Sequence, residues 1–128
     1  MERSPTERMT ALLRTSSLAG DVRRDLKILA WGRSKDRWRR RLALVATVPL
    51  NSRARGGTGD ARRTLRICRL LLGDSDDMVI KAMSWSLREP AKRDPKIVER
   101  FLLIEEDRLS PRVKREVRNK LRTGLKSP

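Results

Sequence analysis

The spacing of the apolar residues is the feature that most limits what this chain can fold into. Apolar residues recur at intervals of three and four, and no stretch of convincing length alternates apolar and polar residues as a strand does. Val79, Ala82, Met83 and Ser86 illustrate the spacing, because these four positions fall on one face of a helix. The pattern therefore predicts an all-α protein.

Start and stop signals divide this pattern into six or seven helices. A weak helix is predicted before Arg14, and further helices are predicted to begin at Asp21, Ser34, Asp60, Asp74 or Ser75, Asp94-Pro95, and Ser110-Pro111. Gly73 and Gly124 suit helix ends. The clearest loop is Thr47–Gly59, which is rich in Pro, Gly, Asn and Ser. The helices are joined mostly by short loops, which favours antiparallel helix pairs, so the chain is predicted to be a stack of helical hairpins.

The length of 128 residues leaves room for one core. We expect an N-terminal segment with a weak helix over residues 1–20 and a single HEAT-like repeat domain over residues 21–128. No exact internal repeat is visible, but repeats of this type are commonly degenerate in sequence. A short stack has exposed ends. We therefore expect a truncated larger solenoid, or self-association or a partner at the uncapped N-terminal end.

Net charge points to the class of partner. Lys and Arg total 32 against 16 acids, which gives a formal charge of +16. Such a charge opposes folding through self-repulsion and usually serves a polyanionic ligand, here nucleic acid. The alternative is that the arginines reflect only a high-GC genome or a ribosome-like composition.

Several classes of site are disfavoured by residues that the chain lacks. It has one cysteine and no histidine, so no disulfide framework, no thiolate metal site and no usual general base is expected. We predict no cofactor and no metal. No apolar run approaches the length of a membrane span, so we expect no membrane association and a cytoplasmic protein.

The densest basic element is the third predicted helix. Arg37 and Arg41 are four residues apart and share a face, while Trp38 and Leu42 fall on the neighbouring face. Such a ridge could bind phosphates through charge and bidentate hydrogen bonds without reading sequence. The alternative is an ordinary solvated face.

Trp85 lies four residues after Lys81 and three before Arg88. An exposed Trp between two cations could stack on a base or pack against a sugar. The alternative is that Trp85 is a core residue, and Trp31 and Trp38 are interpreted mainly in that way. The candidate DNA-binding residues are Arg41, Trp85, Lys81, Arg88, Arg37 and Trp38.

The acidic residues and the glycines do not predict catalysis. Asp74, Asp76 and Asp77 lie at a predicted helix start, where negative charge complements the helix dipole. The glycines from Gly56 to Gly59 lack the Lys and Ser or Thr of a phosphate-binding loop. We predict no catalytic residue in this chain.

Two stretches carry a family resemblance. They are SKDRWRRRLALVATVPLN from Ser34 and DDMVIKAMSWSLREPAKRDPKIVERFL from Asp76, followed by REVRNKLRTG from Arg115. Together they resemble the C-terminal part of AlkD-type DNA alkylation repair proteins, with KAMSWSLRE the most specific segment, over about residues 21–124.

The resemblance implies a short right-handed solenoid of HEAT-like (ARM-type) repeats whose concave face binds the backbone of duplex DNA. It also implies relatives that are N-glycosylases of N3- and N7-alkylated purines. By the same resemblance Arg41 matches a phosphate-contacting arginine and Trp85 a tryptophan near the lesion, flanked by Lys81 and Arg88.

Two departures modify this expectation. The family's catalytic region is a stretch similar to W-D-x-V-D, and nothing in Met1–Gly20 matches it. Pro90 replaces an apolar residue and is predicted to end or kink its helix. We therefore expect a DNA-binding part without its catalytic carboxylate. The alternatives are a helical scaffold for an acidic protein or partner subunit, and a glycosylase that uses an unrecognised carboxylate.

Overall fold

All regular elements of the described residues are helical. The computed structural model describes residues 26–127. The elements are α1 (helical residues 26–32), α2 (Arg37–Val45), α3 (Val48–Asn51), a 3-10 helix (Arg53–Arg55), α4 (Ala61–Leu70), α5 (Asp77–Arg93), α6 (Pro95–Ile104) and α7 (Pro111–Thr123). The all-α prediction is confirmed. The predicted helix before Arg14 and the predicted start at Asp21 lie outside the described residues.

Helix α2 begins two residues later than the sequence predicts. Its N-cap is Asp36, whose carboxylate accepts a 2.9 Å hydrogen bond from the Trp38 amide. Ser34, the predicted cap, instead accepts a 3.1 Å bond from the Asp36 amide. Both Ser and Asp side chains can cap a helix, and here Asp36, which lies nearer to the free amides of α2, is the cap.

The start of α5 differs from the prediction in the same way. Asp76 is the N-cap and accepts bonds from the amides of Met78, at 2.9 Å, and Val79, at 3.3 Å. Asp74, one of the two predicted caps, accepts from the Asp76 amide and from the Arg40 guanidinium at 2.7 Å. The Asp74 carboxylate is therefore bound by Arg40 of α2, and Asp76 caps α5 instead.

Two further predictions are corrected between α2 and α6. The segment Thr47–Gly59 is not a simple loop, because it contains α3 and the 3-10 helix. Pro90 does not end α5, which continues to Arg93. Pro90 is buried and Arg93 bonds to the backbone carbonyl of Asn51 at 3.0 Å, so packing and an anchored last turn outweigh the missing proline amide.

Helix α5 is the centre of the packing, with α2 on one side and α7 on the other. Arg41 of α2 contacts Met78 near the start of α5, and Arg93 at its end contacts Asn51 of α3. Arg112 near the start of α7 contacts Asp77. The three helices therefore run in the same direction. Helices α4 and α6 pack against α5 and against each other, which is consistent with a short helical-repeat solenoid. The right-handed turn of that solenoid stays a prediction.

The core between these helices is aliphatic. Its largest fully buried side chains include Phe101, Ile28, Leu44 and Leu87. Burial of such side chains is the main stabilising contribution in a small helical domain. The core holds α2, α5 and α7 in fixed register, and this register positions the side chains of their solvent-facing surfaces.

Candidate nucleic-acid interface

The first part of the candidate site is the surface of α2 that faces the start of α5. Arg41 is partly buried and donates from Nη1 to the Met78 carbonyl oxygen at 2.7 Å. Arg37 is exposed, and its Nη1 lies 3.6 Å from Asp76 Oδ2. Both arginines therefore lie on the side of α2 that contacts α5, as their spacing of four residues predicts.

Trp38 lies beside these arginines and is exposed. It retains 53% of its surface, and the Arg37 guanidinium carbon lies 5.0 Å from its ring centroid. The interpretation of Trp38 as mainly a packing residue is therefore wrong, since the buried run of α2 starts only at Leu42. Trp31, in contrast, packs partly buried against the core.

The second part of the candidate site is one face of α5. Lys81 is exposed and its Nζ lies 3.2 Å from Asp77 Oδ2. Trp85 is half-buried, one turn after Lys81. Arg88 follows one turn later and donates from Nε to the carbonyl oxygen of Ser84 at 3.3 Å and to its hydroxyl at 3.2 Å. The spacing therefore brings Lys81, Trp85 and Arg88 onto one side of the helix.

We call these two adjoining surfaces the α2–α5 face. Its members are Arg37, Trp38, Arg41, Lys81, Trp85 and Arg88. Partial burial lowers the pKa of the Arg88 guanidinium, and the nearby carboxylates of Glu116 and Glu89 act in the opposite direction. A guanidinium stays protonated at neutral pH despite such a shift. Arg88 therefore contributes a positive charge to the face.

A polar network joins the α2–α5 face to α7, and the sequence analysis missed it. Glu116 accepts a 2.6 Å hydrogen bond from the Ser84 hydroxyl, and its other oxygen lies 3.4 Å from Arg112 Nε. Arg112 Nη1 also lies 3.2 Å from Asp77 Oδ1. Burial acts to raise the pKa of Glu116, but the Ser84 hydrogen bond and the Arg112 charge outweigh it and hold that pKa below its usual value.

The sequence did contain a signal for Glu116. It lies three residues after Val113 and next to Val117, on the stripe that the spacing assigns to the core. An acid on a core stripe indicates a buried, partnered carboxylate, because an unpaired buried charge is very unfavourable. Glu116 is indeed buried, with 8% of its surface exposed.

Arg55 is a second residue that sequence reasoning missed. It lies at the end of the 3-10 helix, and its guanidinium carbon is 5.5 Å from the centroid of the Trp85 ring. The two residues are far apart in sequence, and no spacing rule connects them. Their contact arises only because the segment after α3 folds back along α5.

The α2–α5 face combines planar cations with two tryptophans that have accessible surface. Guanidinium groups suit phosphate oxygens and indole rings suit bases or sugars, so the arrangement favours a nucleic-acid ligand. Within residues 26–127 no group of three or more His, Cys, Asp or Glu side chains is placed to hold a metal ion. In the same part of the chain, no helix combines the length and the hydropathy that crossing a membrane requires.

Comparison with known proteins identifies the family. No curated protein and no solved structure matches the chain. The family model described as DNA alkylation repair enzyme matches residues 11–121, which is most of the sequence. The match includes every residue of the α2–α5 face and begins inside the segment 1–20 that the sequence analysis set apart. The resemblance stated above is confirmed, and the chain belongs to the DNA alkylation repair enzyme family.

Proposed function

We propose that this protein binds duplex DNA along its phosphate backbone, without sequence preference, through the α2–α5 face. The family membership supports a role in DNA alkylation repair. The net charge of +16 supports a polyanionic partner. A cytoplasmic location, where a single cysteine remains reduced, fits this proposal.

The state of Arg41 is the observation that carries the proposal. Several cations near it pair with a carboxylate of the protein, as Arg37 does with Asp76 and Lys81 with Asp77. Arg41 instead bonds to the neutral Met78 carbonyl and takes part in no ion pair within the described residues. A guanidinium has five N–H donors, so a side chain anchored by one bond keeps donors for a phosphate.

Trp85 gives the face its second mode of contact. It is half-buried, which fixes the ring while leaving part of it accessible, and Lys81 and Arg88 lie one turn away on either side. A fixed aromatic ring between cations can pack against a sugar or an exposed base while the cations hold the backbone.

The proposal covers binding rather than base excision. The buried carboxylate closest to the face, Glu116, is engaged by the Ser84 hydroxyl and by Arg112. A carboxylate held in this way serves to position α7 against α5. Excision of an alkylated purine is therefore measured separately, as release of the free base by the pure chain.

The test is fluorescence anisotropy on a short labelled duplex across a salt series, with and without one N7-methylguanine. We expect affinity to fall steeply with salt, because each phosphate contact releases a counterion. Arg41→Ala and Trp85→Ala should each weaken binding several-fold. The matched control is Arg39→Ala, which removes the same charge from an exposed position of α2 that does not share the Arg37–Arg41 side.

Two results would contradict the proposal. One is binding by Arg41→Ala and Trp85→Ala that equals binding by the unmodified chain, provided that circular dichroism shows both variants folded. The other is an absence of duplex binding even at low salt. A stoichiometric complex with an acidic protein that survives nuclease treatment would then support the scaffold alternative.

A further inference from the structure

Helices α4 and α6 form a groove of 370 Å³ between them, which we call the α4–α6 groove. Its apolar floor consists of Leu65 from α4 and of Ile97, Phe101 and Ile104 from α6. Leu65 and Phe101 are buried in the core, whereas Ile97 and Ile104 keep 37% and 63% of their surface exposed. The floor therefore combines a fixed base with two isoleucines that remain accessible.

The two exposed isoleucines lie along one side of α6. Ile97 and Ile104 are seven residues apart, which is close to two helical turns and about 10 Å at 1.5 Å per residue. Exposed apolar side chains with a polar rim around them mark a surface that binds another protein. A second helix that presents apolar side chains at the same interval of seven residues fits this spacing, because such a helix can lie in a groove with its apolar stripe inward.

The rim of the α4–α6 groove is positively charged. Arg62 and Arg69 lie on the α4 side, and Lys96 and Arg100 on the α6 side. Arg69 lies 4.0 Å from a carboxylate oxygen of Glu105, but the other three cations take part in no ion pair within residues 26–127. Four cations around one groove favour an acidic partner, and they disfavour a second copy of this chain, whose net charge is +16.

The apolar floor distinguishes an acidic protein from a nucleic acid. Phe101 is only 1% exposed, and the Arg69 guanidinium carbon lies 5.4 Å from the centroid of its ring. Phe101 therefore offers no open ring on which a base can stack. A duplex presents phosphates to a basic surface, and these gain nothing from isoleucine side chains. An acidic amphipathic helix matches both parts of the groove, since its apolar stripe covers the floor and its carboxylates reach the rim.

We propose that the α4–α6 groove binds an acidic amphipathic helix of a partner protein. Apolar residues of that helix, seven positions apart, lie against Ile97 and Ile104. Carboxylates beside them pair with Arg62, Lys96 and Arg100. The groove shares no residue with the α2–α5 face, so this inference does not rest on the proposed DNA binding.

The probe is a fluorescein-labelled peptide of about 20 residues, with leucines seven apart on one helical face and glutamates beside them. A scrambled peptide of the same composition measures the attraction that depends on charge alone. Binding to the full chain is followed by anisotropy. The variants are Ile104→Ser and Arg100→Ala, with Leu103→Ser and Arg115→Ala as matched controls. Leu103 is 72% exposed and Arg115 is an exposed arginine of α7, and both lie outside the groove.

We expect the scrambled peptide to bind at least about tenfold more weakly than the amphipathic one, because only the amphipathic peptide brings its leucines together on one face. Ile104→Ser should weaken binding of the amphipathic peptide by about tenfold, since it removes an apolar contact of the floor. Arg100→Ala should weaken it several-fold, and less at high salt. Leu103→Ser, Arg115→Ala and Arg41→Ala should bind the peptide much as the unmodified chain does.

Four results would overturn the inference. Equal binding of the two peptides would show attraction by net charge without a defined groove. Equal affinities of Ile104→Ser and Leu103→Ser, with circular dichroism showing both folded, would place the peptide elsewhere. A dimer in sedimentation that Ile104→Ser dissociates would assign the groove to a second copy of the chain. Duplex binding that Arg100→Ala weakens and Arg41→Ala does not would make the groove a nucleic-acid site, and only this result also contradicts the proposed function.

Discussion

The Ser84 hydroxyl donates a 2.6 Å hydrogen bond to the Glu116 carboxylate, and this bond joins α5 to α7 in a buried position. Arg112 approaches the second carboxylate oxygen at 3.4 Å. The carboxylate therefore has partners on its own helix and on the neighbouring one. Its ionised form is the one that these partners favour.

Replacing Glu116 should make the stability of the protein less dependent on acid. The folded-state pKa of Glu116 is lowered, so its contribution is present above the unfolded-state pKa, about 4.3 for Glu, and is lost as pH falls through the folded-state value. We expect Glu116→Gln to be less stable at pH 7 by about 1–3 kcal/mol. Its loss of stability between pH 5 and pH 3 should be shallower than that of the unmodified chain, as followed by thermal denaturation.

The control for this prediction is Glu99→Gln, at an exposed position of α6. It should change neither the stability at pH 7 nor the acid slope appreciably. Equal acid slopes for Glu116→Gln and the unmodified chain would show that the carboxylate titrates normally in the folded protein.

Gly57→Ala should destabilise the protein strongly. A Cβ at this position would overlap the backbone carbonyl oxygens of Pro49 and Leu50, and neither carbonyl group can move independently of α3. Overpacking of this kind costs at least about 1–3 kcal/mol. Gly73→Ala is the matched control, since a Cβ there meets no atom within 4 Å. Chemical denaturation of the two variants makes the comparison, and similar midpoints would contradict the close approach at Gly57.

Cys68 should be unreactive in the folded protein. Burial raises the pKa of its thiol to about 12, against smaller opposing effects of the Ser86 hydroxyl and the Arg69 charge. The thiol is therefore protonated and inaccessible at pH 8. We expect reaction with Ellman's reagent only in denaturant, with the labelled fraction following the unfolding curve. Cys68→Ser provides the blank, because the chain has one cysteine. Rapid labelling without denaturant would show that the contact between α4 and α5 opens readily.

Arg93→Ala should expose the segment between α3 and α4 to trypsin. Arg93 donates to the carbonyl groups of Asn51 and Gly57. Replacing Arg93 removes these two charge-assisted hydrogen bonds, which close the loop. Arg53 and Arg55 lie on the exposed 3-10 helix and are trypsin sites. We expect first cleavage there to become at least about fivefold faster, as read by mass spectrometry.

Lys92→Ala is the control for that prediction. Lys92 is exposed and pairs with Glu89 on its own helix. Its replacement therefore removes a charge next to Arg93 without changing a contact to the loop. Equal cleavage rates for Arg93→Ala and Lys92→Ala would indicate that the loop is held by its own backbone bonds alone.

The helices could be predicted from the sequence because periodic burial depends on local spacing. The Pro-started helices α6 and α7 begin where Asp94-Pro95 and Ser110-Pro111 indicate, and α7 ends at Gly124. The caps of α2 and α5 could not be chosen, since several acids and serines stand close together there. Tertiary contacts determine which of these side chains caps the helix, because Arg40 binds Asp74 and Asp76 then caps α5.

The candidate site was predictable only within each helix. Spacing placed Arg37 with Arg41 and Lys81 with Trp85, because neighbours at three and four residues share a side. It could not place Trp38, whose exposure depends on where the buried run of α2 begins. It also could not find Arg55, since that contact depends on the path of the segment after α3.

The acids that cap α2 and α5 determine how an anion can be held. The free amides at these helix starts already bind Asp36 and Asp76 of the chain itself. A phosphate cannot take those positions without displacing a carboxylate. On the α2–α5 face, the proposed phosphate contacts therefore come from long, rotatable cationic side chains rather than from the backbone donors of these two helix starts. A surface of this kind can adjust to a duplex whose groove width and backbone path vary, as they do around a modified base.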